Sequence, residues 1–200
     1  MVDFSACAIC RIHREFGDLE LPWQEPESGG ASPESAATAG ATAGATAGAT
    51  AGATAGASAI ASATATALLI GRCGPFLLRH HPLPAPLPGW LILDSLRHVG
   101  GPADFDDREA AALGMTLRRS SALVRDLTGC QRVYAIAFGE GARHFHLHLI
   151  PRHGADPASE SWRVADLYRQ VSGGERAAAD PLLVAQMVQT ARQSSAGWRL

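Results

Sequence analysis

Lysine and asparagine are missing from all 200 residues, so the 17 basic residues are all arginine. Without lysine there is no Schiff-base amine and no phosphate-loop cation. That excludes pyridoxal enzymes and P-loop nucleotidases in their usual forms. A large excess of one charge is missing too. The 19 acidic residues leave a formal net charge of −2, so a phosphate-backbone grip spread over the surface is excluded and no nucleic acid polymer is expected as a partner. No stretch is rich enough in Leu, Ile, Val and Phe to make a spanning helix, so no membrane partner is expected either. The first residues carry an acid at Asp3 and no basic n-region, unlike a secretory signal. The four cysteines, Cys7, Cys10, Cys73 and Cys130, read as thiols or a metal site in a cytoplasmic protein, not as a disulfide framework.

What is abundant is misleading. Residues 28–66 are almost purely Ala, Thr, Gly and Ser, and Ala37 to Gly56 are five copies of Ala-Thr-Ala-Gly. Such a tract has no large side chain to bury, so it is expected to be a disordered insertion and not a solenoid repeat. It divides the chain into an N-terminal segment (1–27), the insertion (28–66), a core (67–155) and a C-terminal helical extension (156–200). In the core, Ala67–Ile70 and Phe76–Leu78 read as strands joined by a Gly-Arg-Cys-Gly-Pro turn. Residues 80–89 hold four prolines and read as an extended, solvated connection, and Trp90–Leu93 as a buried strand. Asp106 and Glu109 form a D-x-x-E cap that opens a long helix, which Gly129 stops. Val133–Phe138 is strand-like. Asp180-Pro181 opens a last helix with Leu183, Val184, Met187, Val188 and Ala191 on one stripe. Strands in succession, one long helix and further strands predict an α+β fold: an antiparallel sheet of about five strands, the long helix packed on it, and a C-terminal helix.

The chemistry is concentrated in residues 139–152. His144, His146 and His148 alternate with Phe145, Leu147 and Leu149, which puts three imidazoles on one face of a strand. Three readings are open for such a face. It is a solvated surface, a metal site built from alternate residues, or a site for nucleophilic attack at phosphorus.

The run His144–Ile150 matches the His-φ-His-φ-His-φ-φ signature, and the chain thereby resembles the histidine-triad (HIT) family of nucleotide hydrolases and transferases. Pro151-Arg152 is similar to the dinucleoside-polyphosphate hydrolase branch, and the Phe-Gly-Glu-Gly before the triad to uncharacterised actinobacterial-type members. Cys7-Ala8-Ile9-Cys10 resembles the family's N-terminal C-x-x-C, and Pro88 to Leu93 followed by Arg97-His98-Val99 its Pro-Gly-His strand and turn. The resemblance implies a HIT-like fold and a homodimer. It implies cleavage of a nucleoside monophosphate from a leaving group, through a covalent nucleotidyl-histidine intermediate. His146 would be the nucleophile and His148 a phosphate ligand, with His144 and His98 in support. The backbone of Glu140, Gly141 and Ala142 would form an anion nest. Cys7, Cys10, His98 and His144 would hold a structural zinc, and magnesium would accompany a polyphosphate substrate. The sequence departs from the family pattern in three places: it has no asparagine before the triad, Glu140-Gly141 replaces a Gln-Ser pair, and Trp90 stands where many members have histidine. The alternatives are a nucleotide-binding module without turnover and a zinc hydrolase that uses the three histidines as ligands.

Overall fold

The structure is a computed structural model that describes residues 6–15, 66–139 and 141–198. The Ala/Thr/Gly tract before Thr66, and Glu140, lie outside the described residues. Five strands form one antiparallel sheet: β1 (Leu69–Cys73), β2 (Phe76–His80), β3 (Leu91–Ser95), β4 (Arg132–Ile136) and β5 (His146–Arg152), in the order β1-β2-β3-β5-β4. The helices are α1 (Ala8–Glu15), α2 (Asp107–Thr128), α3 (Val164–Ser172) and α4 (Pro181–Ser195). The expected α+β architecture is therefore the observed one.

The two faces of the sheet have different roles. On one face Phe76, Leu78, Leu91, Leu93 and Leu149 pack against Leu123 and Val124 of α2 and against Val184, Val188 and Ala191 of α4. Helix α2 starts where expected: Asp106 accepts from the Glu109 N–H, and the Glu109 side chain accepts from the Asp106 N–H. It ends at Gly129, whose φ of 63° is the left-handed stop. In α4 the buried stripe is Val184, Val188 and Ala191, while Leu183 is 39% exposed and does not belong to it. Among the described residues the other face is covered only at its ends. Ile12 of α1 packs near Leu69 and Leu77. Val164 and Leu167 of α3 pack on Trp90, Ile92 and Ile150. Between these covers lie the histidines.

Two readings are corrected. The turn between the first strands is only Gly74-Pro75, because Gly71, Arg72 and Cys73 pair with Leu78, Leu77 and Phe76. A shift in register between Leu69 and Gly71 takes up the glycine inside the strand. Ala67 belongs to a short helical turn over 66–68. Nor is the stretch that begins at His80 a solvated loop, since His80 and His81 are 0% and 5% exposed. His80 Nδ1 donates to the His81 carbonyl at 2.9 Å, and its Nε2 accepts the Gly89 N–H at 2.9 Å. One imidazole thus ties both ends of the proline-rich connection and delivers Trp90 to β3. Gly89 is required there: its φ is +75°, and a Cβ would run into Thr128 Cγ2.

One charged pair crosses the site face. Arg79 Nε donates to Asp94 Oδ2 at 2.6 Å and Arg79 Nη2 to Oδ1 at 3.2 Å, with both residues buried. Burial alone would push the Asp94 carboxyl up. Arg79 outweighs it, with His13 assisting, and the group is held well below the usual carboxylate range. Removing one partner leaves the other as an unpaired buried charge. Asp94→Ala is therefore expected to lower unfolding stability by about 3–5 kcal/mol in urea titration. A loss below about 1 kcal/mol would show that the pair is not desolvated as described.

Candidate functional site

Antiparallel pairing of β3 with β5 sets Asp94 opposite His146 and Ile92 opposite His148. The start of the triad is fixed by three further bonds. Ser95 N–H donates to the Phe145 carbonyl (3.1 Å), Phe145 N–H to the Val99 carbonyl (2.7 Å), and His144 Nε2–H to the Ser95 carbonyl (2.6 Å). His146 and His148 then fall on the half-covered face, their ring centroids 5.2 Å apart.

The three imidazoles do not converge on one point. His144 turns Nδ1 to Cys10 Sγ at 3.3 Å and Cys7 Sγ at 3.7 Å. His146 Nδ1 donates to the carbonyl of His144 at 2.7 Å. His148 Nδ1 accepts from Trp90 Nε1–H at 3.0 Å. A carbonyl can only accept, so the Nδ1 of His146 carries the proton and the neutral ring keeps its lone pair on Nε2. The arrangement does not build a three-histidine metal site, because both ring nitrogens of His144 are engaged away from His146 and His148.

A second cluster stands beside the first. Cys7 and Cys10 on and before α1, His98 after β3 and His144 before β5 have ligand atoms all within 4.8 Å of one another. Cys10 Sγ is 3.2 Å from His98 Nδ1. Tetrahedral zinc with two sulfur and two nitrogen ligands needs ligand separations of about 3.3–3.8 Å, so the four residues fit that ion. His144 has the outer-shell bond typical of a metal-bound imidazole, its far nitrogen donating to a backbone carbonyl. Burial and the neighbouring Cys7 push the Cys10 thiol up to about 11, so without a cation the thiol stays protonated.

Of the residues singled out from sequence, His146 and His148 come together on the open face, and Cys7, Cys10, His98 and His144 come together at its edge. Gly141 and Ala142 precede the triad, Gly141 exposed and Ala142 half-buried, and Gly139 takes a φ of 46°. Glu140 lies outside the described residues, so the anion nest stays an expectation. Trp162 is 94% exposed and lines a depression with Arg132, Tyr134 and Arg152. Residues that sequence reading passed over are Arg79, Asp94, His13 and Phe138. His13 Nε2 lies 3.5 Å from Asp94 Oδ2, and the Phe138 ring centroid is 5.1 Å from that of His148. Arg79 and Asp94 did leave a signal: each is a lone charge at the end of a run of apolar strand residues.

No family model matches the chain, and no curated protein matches it. Among solved structures it is similar to a histidine triad protein from Bradyrhizobium japonicum, with 23% identity over 62% of this chain and 87% of that one, TM-score 0.48. It is also similar to a zinc-bound histidine triad family protein from Mycobacterium smegmatis, with 17% identity over 68% of this chain and 91% of that one, TM-score 0.48. A third is the diadenosine triphosphate hydrolase of Plasmodium falciparum, with 14% identity over 64% of this chain and 76% of that one, TM-score 0.46.

Burial pushes His80 and His81 down to about 4 and His148 down to about 3, from an ordinary 6.5. For His148 the nearby His146 and His81 act in the same direction. In the unfolded chain these rings take up protons near pH 6.5, and in the folded chain they do not. The unfolded state therefore binds more protons between about pH 6.5 and 4, and stability falls with falling pH across that window. Each ring contributes at most about 1.4 kcal/mol per pH unit. Urea midpoints are expected to be flat above pH 7 and to drop steeply from 6.5 toward 4. Unchanged midpoints down to pH 4.5 would contradict neutral burial of the three rings.

Proposed function

We propose that the chain is a histidine-triad-type nucleotide phosphohydrolase or nucleotidyl transferase, with His146 as the nucleophile. The observation that carries this reading is the 2.7 Å bond from His146 Nδ1 to the His144 carbonyl, which leaves a lone pair at Nε2 on the half-covered face. In the first step Nε2 attacks phosphorus, the N–P bond forms, and the bond to the leaving group breaks with its electron pair on that group. In the second, water attacks the same phosphorus, the P–N bond breaks back to His146, and the water's spare proton leaves to solvent. His148, 5.2 Å away between ring centroids, is the phosphoryl-oxygen ligand in this reading. The substrate is a nucleoside monophosphate joined to a leaving group, as in a dinucleoside polyphosphate or a nucleoside phosphoramidate. Magnesium enters only with a polyphosphate.

In the same reading Cys7, Cys10, His98 and His144 hold a structural zinc, which fastens α1 to the loop before β5. Among the described residues the edge strand β4 is paired on one side only, which supports a homodimer. No helix among the described residues is long and apolar enough to cross a membrane. Free thiols at Cys7 and Cys10 suit a reducing cytoplasm.

Two variants separate the catalytic from the structural histidines. His146→Ala is expected to reduce turnover of diadenosine tetraphosphate by at least about 10³-fold, with AMP binding retained in calorimetry. Turnover unchanged by that variant contradicts the assignment. Binding without turnover in the wild-type chain favours the binding module instead. Metal analysis is expected to find one zinc per chain in wild type and in His146→Ala, and none in Cys10→Ser, which also melts lower. A wild-type chain purified without chelator and free of zinc removes the metal from the account.

A further inference from the structure

Trp90 is 1% exposed, and its ring is fixed among Leu87, Ile92, Ile150, Val164 and Leu167. From there Nε1–H reaches His148 Nδ1 at 3.0 Å. An indole N–H donates, never accepts, and does not titrate in the working range of a protein. The Nδ1 of His148 must therefore keep its lone pair, and the single ring proton sits on Nε2. Turning the imidazole over would leave a buried indole N–H without a partner. The ring is also bracketed, with centroids 5.7 Å from Trp90, 5.1 Å from Phe138 and 5.2 Å from His146. Among the described residues no hydrogen bond engages Nε2, so that proton is the one available to a ligand.

We propose that Trp90 is a positioning residue that holds His148 as a neutral Nε2–H donor. The site then takes substrates whose leaving group departs as an anion, phosphoric anhydrides in preference to phosphoramidates. The substrate half rests on the nucleotidyl-transfer reading above; the tautomer does not. The two leaving groups differ in the proton they need. When His146 attacks an anhydride, the P–O bond breaks and the electron pair stays on the oxygen of a nucleoside polyphosphate, which is stable without a proton. When it attacks a phosphoramidate, the P–N bond breaks toward an amide anion unless an acid supplies a proton. His148 cannot be that acid, because losing Nε2–H would leave an imidazolate. Its hydrogen bond steadies charge on a phosphoryl oxygen and goes no further. The burial that drives this ring down to about 3 acts in the same direction. His146 and His148 thus offer opposite poles side by side, a lone pair on one and a proton on the next.

Two measurements test this. The first is NMR on the full chain without ligand, labelled with ¹⁵N in histidine and tryptophan. A protonated Nε2 and an unprotonated Nδ1 are expected at His148, with a coupling across the hydrogen bond to Trp90 Nε1. In Trp90→Phe the coupling vanishes and the two ring nitrogens move toward a tautomer average. A proton on Nδ1 in wild type, or an unchanged tautomer in Trp90→Phe, overturns the positioning role. The second compares kcat/KM for diadenosine tetraphosphate and adenosine 5′-phosphoramidate. The anhydride is expected to lead by at least about 100-fold. In Trp90→His, where the partner ring can accept and His148 can hold two protons, that ratio is expected to narrow at least about tenfold. A wild-type preference for the phosphoramidate, or a ratio unmoved by Trp90→His, overturns the substrate class. If neither compound turns over, the nucleotidyl-transfer reading falls and takes the substrate class with it. The tautomer at His148 is then still decided by the wild-type spectrum, which needs no variant to fold.

Discussion

The pairing of β3 with β5 is the constraint on which the rest of this structure depends. Side chains alternate along a strand, so a shift of one residue between Asp94 and His146 would turn both site histidines into the core and bring Leu147 and Leu149 out. Three features hold the register. Leu91, Leu93 and Leu149 are buried on the helix-covered face. The Arg79–Asp94 pair anchors the opposite face, and the His144 Nε2–H bond to the Ser95 carbonyl clamps the start of the triad. The cost of misplacing a buried ion pair and a ring N–H together makes the alternative register unfavourable.

From that register the polarity of the site follows. Each imidazole is told which nitrogen to protonate by a partner with a single role. The His144 carbonyl accepts from His146, and the Trp90 indole donates to His148. His144 points away from both, toward the cysteines, while its own carbonyl orients His146. One residue thereby couples the Cys7/Cys10 cluster to the orientation of the proposed nucleophile. Helices α1 and α3 cover the ends of the sheet, and Trp90, Phe138 and His81 wall the remaining gap around His148.

Much of this was legible in the residues themselves. The alternation from His144 announced a strand with His146 and His148 on one side, although β5 begins only at His146 and His144 stands in the bend before it, and the capping box at Asp106 and Glu109 announced a helix with the bounds it has. What stayed hidden depended on partners distant in sequence. His80 and His81 looked like loop residues because four prolines follow. Only their bonds to the His81 and Pro82 carbonyls and to the Gly89 N–H explain their burial. Helix α3 has no capping side chain to mark its start, so nothing local distinguishes it. Trp90 was visible only as a departure from a pattern. Its role required knowing that the His148 ring lies 3.0 Å from its N–H.

The central claim is that His146 Nε2 is the nucleophile. It is tested most directly by trapping the covalent intermediate with a slowly hydrolysed diadenosine polyphosphate analogue, digesting under neutral conditions, and mapping the added mass by fragmentation. The account predicts a nucleoside monophosphate on the peptide that carries His146, at that residue, and none in His146→Ala. Turnover with the added mass on another residue, or undiminished in the His146→Ala chain, would contradict it.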